Sequence, residues 1–267
     1  MMPNAERVTF TKKKKTVACP VPLAPLADTH AHLLSFWGKE VPETLVRAKA
    51  AGVDLLVTMF DPIADKRSVT DYSDWLVREI LPMQDIPQIK YLAGVHPYGA
   101  PDYTDDVHAQ VVAALDDPLC AGIGEIGLDY HMDYDDDIAP APHDVQIDCM
   151  ARQLEVAVRR NVPVELHLRH EDTDEERTSH VDATTCCARS TCPRPVAYCT
   201  ALARTAPRWS ALWSWAAISP MVARPPLSAT TTCARHLRQP HSIEFCSRRI
   251  ARIWLRSPSA VLNASPQ

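Results

Sequence analysis

Short apolar runs of strand length recur along the first two-thirds of the chain, at 23–32, 53–62, 89–97, 119–130 and 162–169. The second, VDLLVTMFDP, is apolar almost throughout, as expected of a strand covered on both faces. Between the runs lie segments whose apolar positions fall three and four apart. They predict helices over 39–52, 68–82, 103–117 and 142–160, with Gly52 ending the first and Pro82 the second. Val107, Val111, Val112 and Leu115 form the inner stripe of the third helix behind its N-terminal aspartates, and Val145, Met150, Leu154 and Val158 form that of the fourth. Strands alternating with helices in this way demand parallel βα connections. The pattern therefore predicts an α/β fold of the eight-stranded barrel type, whose chemistry belongs at the C-terminal ends of the strands.

Size permits this, since 267 residues suffice to close one large domain around a single sheet. No stretch approaches the ~18 consecutive apolar residues of a membrane helix, and we expect a cytoplasmic monomer with no membrane partner. Residues 1–22, with Lys12–Lys15 followed by a Pro-rich stretch, read as a flexible basic arm rather than a secretory leader. Residues 23–176 carry the barrel pattern.

Composition changes the picture after that point. All seven glycines precede Leu128, although the 140 residues from Leu128 to Gln267 would ordinarily hold about ten. All eight lysines lie at or before Lys90. From Val181 onward there are 11 arginines, 4 tryptophans and 6 cysteines against only Asp182 and Glu244, a charge of +9 that leaves −14 for residues 1–180. So acidic a front part argues against a broad nucleic-acid-binding surface and for local recognition of a strand end or a small substrate.

The candidate chemistry sits at the strand ends. His30 and His32, two apart on an extended strand, point to one side and form half of a metal site. Asp61, His96, Glu125 and His167 occupy the ends of the other runs. Randomly placed polar residues would not respect strand ends, so His30, His32, Glu125 and His167 are read together as metal ligands. Asp28 is expected to support a ligand histidine, and His96, Asp129 and Tyr130 to line the pocket or position substrate. Arg169 follows His167 by two residues on the same side, where it either holds a phosphate oxygen or is a surface arginine. The acidic run 171–176 reads as a solvated helix start, and Cys120 and Cys149 as small buried hydrophobes.

The segments DTHAH (28–32), GVHPY (94–98), GEIGLDY (124–130) and RQLEVAVRRNVPVELHLR (152–169), in this order and at these intervals, resemble the TatD family of metal-dependent deoxyribonucleases. The resemblance covers about residues 24–170 and implies a distorted eight-stranded barrel that hydrolyses DNA phosphodiester bonds with two divalent ions, Mg²⁺, Mn²⁺ or Zn²⁺. By it, His30 and His32 would bind one ion, His167 the other, and Glu125 both. The family's further His, in a His-Cys-Phe strand, and its final Asp, in a Glu-Thr-Asp stretch, have no counterpart here.

Codon degeneracy offers a cause. Read from the third base of each codon, 198–202 can give Leu-His-Cys, 212–217 can give Leu-Glu-Leu-Gly-Gly, and 243–254 can give a segment containing Glu-Thr-Asp. Three such matches in one frame and in family order point to a frameshift after about Glu176. On this reading the barrel does not close, the first and fifth strands carry unpaired edges, and hydrolase activity is impaired. The alternatives are an amidase- or esterase-type hydrolase on the same barrel, or an inactive interaction module.

Overall fold

The structure is a computed structural model that describes residues 9–12, 15–19, 21–35, 41–134, 137–189 and 197–199. A β-hairpin, β1 (Thr9–Lys12) with β2 (Lys15–Ala18), precedes the main sheet. It lies within the segment 1–22 read as a flexible basic arm, and its antiparallel pairing runs from Thr9 opposite Ala18 to Lys12 opposite Lys15.

The main sheet contains β3 (Leu26–Ala31), β4 (Val53–Phe60), β5 (Gln88–Ala93), β6 (Cys120–Asp129), β7 (Val164–Arg169) and β8 (Ala197–Cys199), hydrogen-bonded in that order and all parallel. The connecting helices are α1 (Val41–Ala50), α2 (Val69–Trp75, continued by a turn of π-helix to Ile80), α3 (Asp105–Ala114), α4 (His143–Arg160) and α5 (Thr178–Arg189). This is an α/β half-barrel of the distorted TIM type. Strands β3 to β7 and helices α1 to α4 lie where the hydrophobic pattern expects them, with ends that differ by up to four residues when α2 is taken through to Ile80.

Helix boundaries follow local chemistry. Ser68 and Thr104 cap α2 and α3 by accepting the N–H groups of Asp71 and Val107. Asn161 ends α4 in the left-handed conformation. The apolar faces pack into two cores. One joins Leu45, Phe60, Tyr72, Leu76 and Tyr91 around β4 and β5, and the other joins Ile126, Met150, Leu154, Leu166 and Leu168 between β6, β7 and α4. Cys149 is buried in the second core as expected, and burial pushes its thiol up to about 12.

Two findings bear on the stretch after Glu176. Helix α5 buries Ser179, His180, Ala183, Cys186 and Cys187 as one stripe, and Asp182 accepts the Tyr130 hydroxyl at 3.0 Å. Strand β8 pairs with β7 through Val164–Ala197, Glu165–Tyr198 and Leu166–Cys199. The expected unpaired edge on the fifth strand is therefore corrected, and 178–189 retains a helical apolar face. Among the described residues no strand lies on the outer edge of β3. The tail segments at 200–202, 212–217 and 243–254 lie outside the described residues. Asp174, in the acidic run, caps the turn into α5 by accepting the Arg177 and Thr178 N–H groups. Among the described residues no helix is long and apolar enough to cross a membrane.

Candidate metal centre

The central carboxylate depends on a defect in β6. Pairing with β7 is regular from Ile126 to Asp129 but shifts register between Ile123 and Ile126, and within that bulge Glu125 has φ 54°. A non-glycine residue rarely occupies this left-handed region, and bulges of this kind re-aim side chains at functional sites. Two glycines make room for it. A Cβ on Gly94 would lie 2.1 Å from the Gly124 carbonyl oxygen, and one on Gly127 would lie 1.9 Å from that of His167.

The bulge brings Glu125 to the end of β3. His30 Nε2 lies 3.4 Å from Glu125 Oε1, His32 Nε2 lies 3.5 Å from Glu125 Oε2, and the two Nε2 atoms are 3.1 Å apart. Tetrahedral coordination with bonds of about 2.0–2.1 Å separates ligand atoms by about 3.3 Å, so this donor set fits a divalent ion in both spacing and chemistry. His30 is held on three sides. Asp28 Oδ1 accepts its backbone N–H at 3.1 Å, Glu165 Oε1 lies 2.5 Å from its Nδ1, and Glu125 faces its Nε2. Burial lowers the His30 pKa, but the Glu165 hydrogen bond and the surrounding acids outweigh it and raise the value to about 9. Burial opposes ionisation of Glu125, yet the hydrogen bond from His32 and the nearby histidine charges bring it down to about 2.

A second cluster stands at the ends of β5, β6 and β7. Ligand atoms of His96, Asp129 and His167 lie within 4.8 Å of one another, as do those of the first cluster. His167 Nε2 is 3.0 Å from Asp129 Oδ2. Burial raises the Asp129 pKa, but His167, the His131 N–H and Arg169 outweigh it, so the carboxyl sits below its ordinary range. His96 differs in role. Its Nδ1 accepts the Tyr98 N–H at 3.2 Å, which places the proton of the neutral ring on Nε2 and makes that atom a donor. Burial, and then the charge of His167, lower its pKa to about 4, so the ring is neutral near pH 7.

Buried amides hold the strand ends. Gln153 of α4 accepts the Val95 N–H and donates to the Val95 carbonyl, while Gln146 does the same for Asp129. Asp61 accepts the N–H groups of Ile63, Ala64 and His96, so it braces the loop that carries His96.

The structure thus brings together His30, His32 and Glu125 in one cluster, and His167 with His96 and Asp129 in the other. The expected pocket residues His96 and Asp129 are inside the second cluster rather than on its margin. Arg169 stands beside it, with Nη1 3.5 Å from Asp133 Oδ2 and 3.9 Å from Asp129 Oδ2. Tyr130 differs from expectation: it stacks on His143 of α4, donates to Asp182 of α5, and is buried against the helices. Sequence reasoning missed Glu165, although a glutamate inside the apolar run VELHLR is a readable signal. It also missed Gln146 and Gln153, seven apart on the inner stripe of α4.

Residues 27–238 match the family model described as TatD related DNase. The chain belongs to this family. The match continues past the point at which composition changes. Among TatD relatives, the uncharacterised metal-dependent hydrolase TatD of Mycobacterium tuberculosis is 28% identical over 152 residues, covering 56% of this chain and 53% of the relative. The uncharacterised metal-dependent hydrolase YabD of Bacillus subtilis is 29% identical over 150 residues, covering 56% and 52%. The putative deoxyribonuclease TATDN3 of Mus musculus is 27% identical over 145 residues, covering 54% and 48%. The chain thus spans about half the length of the curated TatD relatives it matches. Among solved structures, the TatD homologue YJJV of Escherichia coli matches with TM-score 0.49 at 20% identity, over 67% of this chain and 61% of that one.

Proposed function

We propose that this chain holds two divalent cations, Mg²⁺, Mn²⁺ or Zn²⁺, in the paired clusters and hydrolyses phosphodiester bonds at DNA ends. The observation that carries the proposal is the pairing itself: two groups of imidazoles and a carboxylate, each with ligand atoms within 4.8 Å of one another, stand at the C-terminal ends of the parallel strands. When bound, two such ions would supply water activation and neutralise charge on the leaving oxygen. His30, His32 and Glu125 would hold one, and His167 with Asp129 the other. Glu125 faces both histidines of the first cluster, and its charge also acts on His96 of the second. Arg169 holds a non-bridging phosphate oxygen beside the second cluster. His96 Nε2–H donates to the same group as a neutral donor. Deoxyribonuclease in the family's description, and in the name of the mouse relative, supports this substrate class.

Turnover is expected to be low, because the Glu-Thr-Asp stretch, with its carboxylate for the attacking water, is absent from the 267 residues. The test is hydrolysis of an end-labelled single-stranded oligonucleotide with Mg²⁺, Mn²⁺ or Zn²⁺. Slow, metal-dependent cleavage that Glu125→Ala abolishes supports the reading. Cleavage without added metal, or unaffected by Glu125→Ala, overturns it, and a rate comparable to an intact relative overturns the expected impairment.

A further inference from the structure

We infer that Glu165 is the positioning residue of the first cluster: its buried carboxylate fixes the His30 ring with Nδ1 as the N–H donor and Nε2 as the lone pair turned toward the cation. The inference rests on the metal-site reading above. Glu165 lies within β7, between the buried Val164 and Leu166, and is 1% exposed. A carboxylate so deeply buried is costly unless it is paired. Its partner is on β3, 135 residues away and separated in the sheet by β4, β5 and β6, so the contact crosses the concave interior of the half-barrel.

Packing alone does not call for an acid here. An apolar side chain would fill the interior at this position without a desolvation cost. What the acid adds is direction. Asp28 anchors the His30 main chain, Glu165 takes Nδ1, and only Nε2 is left on the side where His32 Nε2 and Glu125 Oε1 converge. A carboxylate on the far nitrogen of a ligand histidine sets its tautomer and strengthens it as a donor, and removing such a partner typically lowers metal affinity by about 10–100-fold.

The experiment titrates the full metal-free chain with Co²⁺ alone, following heat and visible absorption. Wild type is expected to take up two ions. Glu165→Leu should bind one ion about 10–100-fold more weakly, and it should be the ion that His32→Ala also loses, while the second ion binds as before and so reports that the chain is folded. Glu165→Gln, whose amide oxygen still accepts from Nδ1, should stay within a few-fold of wild type. Unchanged uptake in Glu165→Leu sinks the inference alone. A Gln variant as weak as the Leu variant also sinks it, because Glu165 would then act through its charge or as a ligand itself. A wild-type chain that takes up no Co²⁺ sinks the metal-site reading and this inference together.

Discussion

Replacing Gly94 with alanine tests whether the β6 bulge sets the first cluster. The added Cβ would lie 2.1 Å from the Gly124 carbonyl oxygen, 2.8 Å from Ile126 Cγ2 and 3.2 Å from the Gly124 carbonyl carbon. Two of these three atoms are backbone, so relief must come from moving the bulge rather than turning a side chain. Overpacking in a dense interior costs about 1–3 kcal/mol, and a main-chain obstacle puts this case at the upper end. For a domain of this size about 3 kcal/mol corresponds to a fall in melting temperature of roughly 6–12 °C. The same movement carries Glu125, one residue beyond Gly124, away from His30 and His32, so ion uptake at the first cluster should weaken along with stability. Gly99→Ala is the control. Its Cβ would meet the Val95 Cγ1 at 3.0 Å and the Ile63 Cδ1 at 3.3 Å, both side-chain atoms, and should cost under about 1 kcal/mol. Thermal melts and Co²⁺ titrations of the two variants decide the matter. If Gly94→Ala melts with Gly99→Ala and binds two ions like wild type, the bulge does not depend on close backbone approach at Gly94.

Gln153→Leu strands the buried N–H and C=O of Val95 at the end of β5 and should destabilise the chain by about 2–4 kcal/mol in urea unfolding, whereas Gln110→Leu, which removes no such staple, should not. The metal-free chain should show a stability maximum on the mildly acidic side of neutrality. His30, raised to about 9, stabilises fully below its unfolded value near 6.5 and loses that contribution as pH rises through 9, while Glu125, lowered to about 2, stabilises above about 4.5 and loses it as pH falls through 2. In melts run with a chelator, His30→Gln should flatten the limb between pH 6.5 and 9, and an unchanged limb would refute the assignment. The coding DNA from about codon 165 onward should contain an uninterrupted family-like frame displaced from the present one after about codon 176. Its absence would sink the frameshift reading.

The order of strands and helices was legible because both faces of the parallel sheet are covered, so each strand reads as an apolar run and each helix as a stripe. What the pattern could not carry was anything in which the main chain departs from regular geometry. Gly124 and Gly127 stand on either side of Glu125 in the sequence, but the register shift that turns Glu125 inward is a relation between β6 and β7. Contacts across the sheet were hidden for the same reason. The 135 residues between His30 and Glu165 contain no local signal that the two meet. His96 shows a third kind of loss: its position at a strand end was readable, but its role as a donor follows from the Tyr98 N–H that occupies Nδ1. The hairpin Thr9–Ala18 was obscured by lysines, which mask alternation on a short two-stranded ribbon.

Ion holding and turnover are physically separable in this chain. Every member of the two clusters, together with Asp28, Glu165, Gln146 and Gln153, precedes residue 170, and their mutual contacts involve β3, β5, β6, β7 and α4 alone. Among the described residues those side-chain contacts use no residue of the Arg- and Cys-rich tail, although β8 pairs with β7 beside Glu165. Turnover makes a further demand, for a carboxylate to take the proton of the attacking water and for walls that exclude bulk solvent from the rim. In a barrel those walls come from the strands that return to the open side of β3. A chain whose first 170 residues are sound and whose tail is altered should therefore bind cations with near-normal affinity while cleaving slowly. The two measurements diverge only if the clusters are self-sufficient, and a tail-dependent loss of ion uptake would show that they are not.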